Sequence, residues 1–232
     1  MHDNEAVALL RATTLLKELD EEDLLRLASR AVTRRFLRGQ VVFTEGEPGD
    51  TLLVVATGRL KVLTKVLTKV LTKADDGRDH VLNIAGPRET VGELNIVEAG
   101  TRSASVEALE PTTALVLDRT AVWELVRERP AVAEQLIRAL VAHVRRLTGA
   151  NADLVFLDLP RRVAKLLLRM REAGRPVIEL GLTQTEIASL LGGSRQSVNQ
   201  ALREFERRTW ILSEGQTITI LQVDRLRGFA GD

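Results

Sequence analysis

The sequence predicts an α+β chain, with a β-rich domain near the N-terminus, a long connecting helix and a small helical domain ending in a hairpin. Three observations carry this. Short β-branched runs alternate with glycine, proline and aspartate turn signals from Val32 to Asp118, at the roughly 8–12-residue spacing of an antiparallel sandwich or barrel. After Thr120 the chain turns helical, with apolar residues at heptad spacing. Near the C-terminus Gly192 and Gly193 separate two short amphipathic segments. The expected domains are residues 1–119, 120–157 and 158–232.

The 232 residues are 44% hydrophobic, enough to build the core of one large or two modest domains. No uncharged apolar run approaches the roughly 18 residues of a bilayer span. The opening "MHDNEAVALL" lacks the basic-then-apolar order of a signal peptide. A cytoplasmic protein without a membrane partner is therefore expected. The chain has no cysteine, which excludes disulfides, thiolate-bound iron–sulfur clusters and cysteine nucleophiles. Net charge is +1 but uneven: residues 159–232 carry 12 basic and 8 acidic side chains, and residues 1–158 carry 21 and 24. That asymmetry points the C-terminal third toward a polyanion.

Taken in order, residues 5–30 read as short helices, their leucines set among charges. The β-rich segment follows, and within it "KVLTKVLTKVLTK" (Lys61 to Lys73) repeats one four-residue word three times. Removing two words restores an ordinary strand leading to an Asp76–Gly77 turn, so about eight residues read as a tolerated insertion. A four-residue word drifts slowly round a helix and leaves four separate stripes, which excludes an amphipathic membrane helix. Pro130 suits the first turn of the long helix. There Leu136, Leu140, His143, Leu147, Ala150 and Leu154 are spaced 4, 3, 4, 3, 4, a seam by which two copies would pair. Ile137, Val141 and Val144 form a second stripe, expected to cover the chain's own β domain. Asp158 before Pro160 caps the next helix.

"LTQTEIASLLGGSRQSVNQALREFERR" is the most informative stretch. Thr183 followed by Glu186 is a capping box. Ser194 can cap a second helix whose Val198, Ala201, Leu202 and Phe205 form a buried stripe. Arg195, Gln196, Ser197, Asn199, Gln200 and Arg203 are left to the other faces. Two short helices joined by a glycine turn, the second polar and basic outside, form a helix-turn-helix that reads duplex DNA. Arginine pairs bidentately with guanine, and glutamine or asparagine with adenine. Thr183 and Gln184, at the start of the first helix, suit phosphate contacts. "WILSEGQTITIL" supplies a hairpin wing.

These residues, with "GEPGDTLLVVATGRLKV", "VGELNIVEAGTRSASVEAL" and "FLDLPRRVAKLL", closely resemble the Crp/Fnr family of bacterial transcription regulators, from about residue 13 to residue 223. The resemblance implies a cyclic-nucleotide-binding β-roll (a double-stranded β-helix), a dimerising long helix and a C-terminal winged helix-turn-helix. It implies an effector cassette in which Glu93 accepts from a ribose hydroxyl and Arg102 clamps a cyclic phosphate with its planar fork. Ser103 and the backbone N–H groups of Gly92, Glu93 and Leu94 complete the cradle. Thr148 or Asn151, late in the long helix, fills the adenine-contacting role. A cyclic purine nucleotide, cyclic AMP favoured, is the implied effector. The implied partners are a second copy, double-stranded DNA with a near-palindromic site, and RNA polymerase.

Departures from the family pattern bear on specificity. The stretch between "RRL" and "FLD" is three residues shorter than in the best-known cyclic-AMP sensors, and Thr90 and Val91 stand where relatives often carry an aromatic. Gln196 replaces a glutamate that accepts from cytosine. Two alternatives stay open: a constitutive DNA-binding dimer with a vestigial or different effector pocket, and a cyclic-nucleotide module acting on a protein partner. No Ser/His/Asp ordering, Walker loop or metal-ligand cluster stands out, so no catalytic residue, metal or catalytic cofactor is expected.

Overall fold

A computed structural model describes residues 3–65, 79–171, 177–215 and 217–231. The chain divides into two compact units, Met1–Asp79 with Asn83–Leu147, and Thr148–Asp232 with His80–Leu82. The first opens with helices α1 (Asp3–Arg11) and α2 (Glu21–Arg30). Asp20 starts α2 by accepting from the Asp23 N–H, leaving Leu24 and Leu27 buried on one face. Strands β1 (Val32–Phe36), β2 (Val41–Phe43), β3 (Pro48–Gly49), β4 (Thr51–Thr57), β5 (Leu60–Lys65), β6 (Asp79–Ala85) and β7 (Thr90–Val91) follow. Then come the short helix α3 (Leu94–Val97), strands β8 (Gly100–Thr101), β9 (Ser105–Ala108) and β10 (Thr112–Asp118), and helix α4 (Arg119–Glu128).

The strands form antiparallel sheets in the orders β1-β10-β4-β7, β2-β9-β5-β6 and β3-β8. Phe36, Leu53, Val55, Val91 and Ala114 of the first sheet meet Leu60, Ala85, Val106 and Ala108 of the second in one core. Leu52 and Val54, the alternate residues of β4, face the other way and pack with Leu115 and Leu117 against Leu24, Leu27, Val122 and Leu125 of the helices. Because both faces of β4 are covered, "LLVV" is an unbroken apolar run rather than an alternating one. The first word of the repeat lies in β5, where Lys61 pairs across to Glu107 at 3.5 Å. Residues 66–78, which hold the rest of the repeat and its Asp76–Gly77 turn, lie outside the described residues.

Helix α5 (Ala131–Phe156) follows, with Pro130 one residue ahead of it. Where its side chains are described, its faces differ from those expected at Leu136 and along the second stripe. Leu136 of the expected pairing seam packs partly buried against the N-terminal helical cluster of its own chain. The stripe expected to cover that domain is the exposed one, Ile137 at 61%, Val141 at 45% and Val144 at 60%. Two interleaved stripes of equal spacing cannot be told apart by period, and packing on the core shared by the N-terminal helices, β4, β10 and α4 turns Leu136 inward. Leu140 is half-buried. The side chains of His143, Leu147, Thr148, Ala150, Asn151 and Leu154 lie outside the described structure.

The second unit contains α6 (Leu159–Met170), β11 (Val177–Glu179), α7 (Gln184–Leu190), α8 (Arg195–Arg207), β12 (Ile211–Glu214), β13 (Thr217–Ile220) and α9 (Val223–Ala230). Asp158 caps α6 through the Arg161 N–H. The wing pairs as expected, and β11 extends it to a sheet ordered β11-β13-β12. Neither β11 nor α9 is anticipated from sequence. Phe229 of α9 meets Phe205 edge-on at 5.6 Å, and Trp210 stacks on Phe205 at 5.8 Å, so aromatic packing ties α8, the wing and α9 together.

Candidate functional site

In the first unit Arg102, between β8 and β9, is met by Phe43 of β2, Gly49 of β3, Thr51 of β4, the β7–α3 turn at Gly92 and Asn95 of α3. Gly92 takes φ +87°, a left-handed conformation that glycine adopts without steric cost. A Cβ there would stand 2.6 Å from Arg102 Nη1, and one on Gly49 would stand 2.6 Å from its Nε. Two glycines thus leave room for a guanidinium that is only 5% exposed. Nη1 donates to the Thr51 carbonyl at 2.8 Å and to Asn95 Oδ1 at 3.2 Å, and Nη2 donates to Thr51 Oγ1 at 2.6 Å. The Phe43 ring covers the group at 4.0 Å. Nε is buried without a partner. Burial pulls the guanidinium below its ordinary pKa, while the charges of Asp50 and Glu47 act in the opposite sense.

Around it, Glu93 is half-buried at the entry to α3, and Leu94 and Ser103 are exposed. Arg102 is therefore a desolvated cation rather than half of a surface Glu–Arg pair. The C-terminal carbonyls of α3 are held from α4: Trp123 Nε1 donates to Ile96 O at 2.6 Å, and Arg119 donates to Ile96 O at 3.1 Å and Val97 O at 3.4 Å. Phe43, Gly49, Thr51 and Asn95 were not singled out from sequence as site residues, although Gly49, Thr51 and Asn95 stand in the quoted stretches. Nothing local in sequence marks Phe43, Gly49 and Thr51, which lie more than 50 positions from Arg102, whereas Asn95 stands close before it.

In the second unit the capping box forms as expected: Thr183 N–H donates to Glu186 at 2.8 Å, and Glu186 N–H to Thr183 Oγ1 at 3.2 Å. The turn into α8 is braced by α6. Arg162 donates to Leu191 O at 2.5 Å, and Leu159 fills the space a Gly193 side chain would need. Val198, Ala201, Leu202 and Phe205 are buried. Arg195, Gln196, Gln200 and Arg203 are exposed, and Gln184 and Asn199 are half-exposed. Ser194 caps α8 through the Ser197 N–H at 3.1 Å, and the two hydroxyls bond each other at 2.8 Å. These serines start the helix as well as lining its outer face. Arg207 and Arg208 close on Glu204, lowering its pKa.

A β domain enclosing a desolvated arginine, carried with a winged helix-turn-helix, defines a class: regulators that join a small-ligand-binding fold to a DNA-binding one. Residues 33–129 match the cyclic nucleotide-binding domain family and residues 161–229 the Crp-like helix-turn-helix domain family. The chain is 40% identical over 197 residues, 82% of it and 84% of the relative, to the CRP-like cAMP-activated global transcriptional regulator of Mycobacterium tuberculosis. It is 31% identical over 195 residues, 83% and 85% of the two chains, to the cyclic AMP receptor protein of Thermus thermophilus. The structure of FixK2 from Bradyrhizobium japonicum shares the fold, with a TM-score of 0.70 at 21% identity, covering 86% of this chain and 96% of that one. The chain belongs to the Crp-like family of transcription regulators, and its relatives are regulators rather than enzymes. Among the described residues no helix is long and apolar enough to cross a membrane.

Proposed function

We propose that this chain is a homodimeric transcription regulator of the cytoplasm whose DNA binding is controlled by a cyclic nucleotide, cyclic AMP favoured. One observation carries the reading: Arg102 is buried as a cation, has no carboxylate partner within ion-pair distance among the described residues, and keeps Nε unbonded. A buried charge of this kind is costly unless paired, and an anionic phosphate relieves that cost. Glu93 accepts from the ribose, and Ser103 with the backbone of Gly92, Glu93 and Leu94 completes the cradle. The cAMP-activated description of the relative from Mycobacterium tuberculosis supports the choice of nucleotide.

The second copy docks along α5. The exposed Ile137, Val141 and Val144 continue at the same spacing to Thr148 and Asn151. The two positions proposed to contact the base therefore share a stripe with the pairing face. This revises the seam drawn through Leu136, Leu140, His143, Leu147, Ala150 and Leu154. Effector binding then shifts a population toward dimers in which both copies of α8 fit successive major grooves of a near-palindromic duplex, about 34 Å apart. Arg195, Gln196, Asn199 and Gln200 read bases there, while Thr183, Gln184, Ser194 and Ser197 approach phosphates. RNA polymerase is the downstream partner that family membership implies.

Calorimetric titration with cyclic AMP and cyclic GMP, paired with duplex binding in each state, tests the proposal. Cyclic AMP should bind the wild type, bind Arg102→Ala at least tenfold more weakly, and tighten duplex binding. No heat with either nucleotide and unchanged duplex affinity would favour the constitutive reading instead.

A further inference from the structure

We propose that Asn95 is a positioning residue for the effector, holding the Arg102 guanidinium so that one two-donor edge is left unbonded for the ligand's anionic group. The inference rests on Arg102 being the anion clamp. A guanidinium has five N–H donors in a fixed plane. Thr51 takes one from each Nη atom, through its carbonyl at 2.8 Å and its hydroxyl at 2.6 Å. Asn95 Oδ1 takes the remaining Nη1 donor at 3.2 Å. What remains is Nε–H, buried and unbonded, and the second Nη2–H beside it. Those two point the same way, as the parallel fork that matches two oxygens of one phosphate.

The chemistry of the position calls for an amide. Asn95 is 6% exposed, so water cannot readily stand in for it. Its Nδ2 donates to Gly100 O and Thr101 O, both at 3.3 Å, while Oδ1 accepts from Arg102. Its backbone N–H also reaches Gly92 O at 3.2 Å, linking the same residue to the cassette turn. An aspartate would turn a second oxygen toward two carbonyls. It would also place a full negative charge on the guanidinium, in direct competition with the ligand. Leucine would neither accept nor donate. A neutral side chain that does both fixes the orientation of Arg102 without neutralising it.

Cyclic AMP and cyclic GMP titrations of the full chain, as wild type, Asn95→Ala, Asn95→Ser and Asn95→Asp, form the test, with circular dichroism melts to verify folding. Asn95→Ala should weaken cyclic nucleotide binding about tenfold, and Asn95→Asp by more, because it adds a competing charge. In an Arg102→Lys background, which keeps the charge but loses the fork, Asn95→Ala should have almost no further effect. A structural role would instead give the same fold-loss in both backgrounds, and that result overturns the proposal. So would wild-type affinity in folded Asn95→Ala, or in Asn95→Ser should the alanine variant not fold. A wild type that binds neither nucleotide defeats the effector reading itself, and this inference with it.

Discussion

Trp123 donates its indole N–H to the Ile96 carbonyl at 2.6 Å, so the end of the cassette helix α3 hangs from α4. Arg119 lies over the Trp123 ring at 5.4 Å and donates to the same carbonyl. A four-residue helix has almost no internal hydrogen bonding to hold it, and these two side chains satisfy its last carbonyls. Trp123→Phe keeps the ring and loses the donor. Because Arg119 still serves Ile96, the cost should be about 1 kcal/mol, read as a lower urea midpoint with an unchanged slope.

Gly92 and Gly49 are required by the space Arg102 occupies. Gly92→Ala adds a Cβ at φ +87°, 2.6 Å from Nη1 and 2.8 Å from the Thr51 carbonyl. Strain and displacement together should cost about 1–3 kcal/mol and weaken cyclic nucleotide binding. A variant with wild-type melting and affinity would show that Arg102 has freedom the packing denies it.

Arg195 and Ser194 should fail differently on DNA. Arg195→Ala removes an exposed base-reading fork, costing about 1–3 kcal/mol on the preferred duplex and little on a scrambled one. Ser194→Ala removes the cap of α8, lowering stability by about 1 kcal/mol and weakening both duplexes alike. Fluorescence anisotropy on the two duplexes separates these patterns.

On α5, adjacent residues have separate roles. Val141→Glu places a charge in the exposed stripe and should yield a folded monomer by sedimentation equilibrium. Leu136→Ala instead thins the N-terminal cluster, costing about 1–2 kcal/mol with the dimer mass retained. The reverse outcome would restore the seam through Leu136.

Neighbouring carboxylates at the start of α2 should respond to acid with opposite signs. Asp20 is held below the usual carboxylate range by the Asp23 N–H and then by Arg129. Its folded pKa is depressed, so its contribution is present above the unfolded value near 3.8 and lost as pH falls through the folded value. Asp23 is raised, first by burial and then by the Asp20 charge, despite Arg129 at 2.8 Å. The folded state holds its proton more tightly, so stability falls as pH climbs from about 3.8 through its folded value. Asp20→Asn should reduce the acid loss and Asp23→Asn should remove the opposing slope, measured by urea unfolding across pH 3–6.

Much of this molecule is written in short-range chemistry. The Thr183–Glu186 capping box, the Asp158 and Ser194 caps and the buried stripe of α8 depend on partners no more than seven residues apart. Spacing alone suffices to find them, because helix geometry brings such neighbours together whatever the rest of the chain does. The winged helix-turn-helix and its polar outer face were legible for that reason. The strand β11 and helix α9 were not, since a three-residue strand and an eight-residue helix carry too little period and take their stability from Phe205, Trp210 and the paired wing.

The amino-acid sequence by itself determined that a β-rich region precedes a winged helix-turn-helix, the caps at Asp158, Thr183 and Ser194, and the presence of Arg102 ten residues after Gly92. Only the tertiary structure decided that Arg102 is buried under Phe43 and oriented by Thr51, and which stripe of α5 turns outward. The physical reason is distance along the chain. Thr51 and Arg102 meet because β3 pairs with β8, and Leu136 turns inward onto a core drawn from the N-terminal helices, β4, β10 and α4. Such contacts come from the register of whole elements, and no local pattern of residues encodes them.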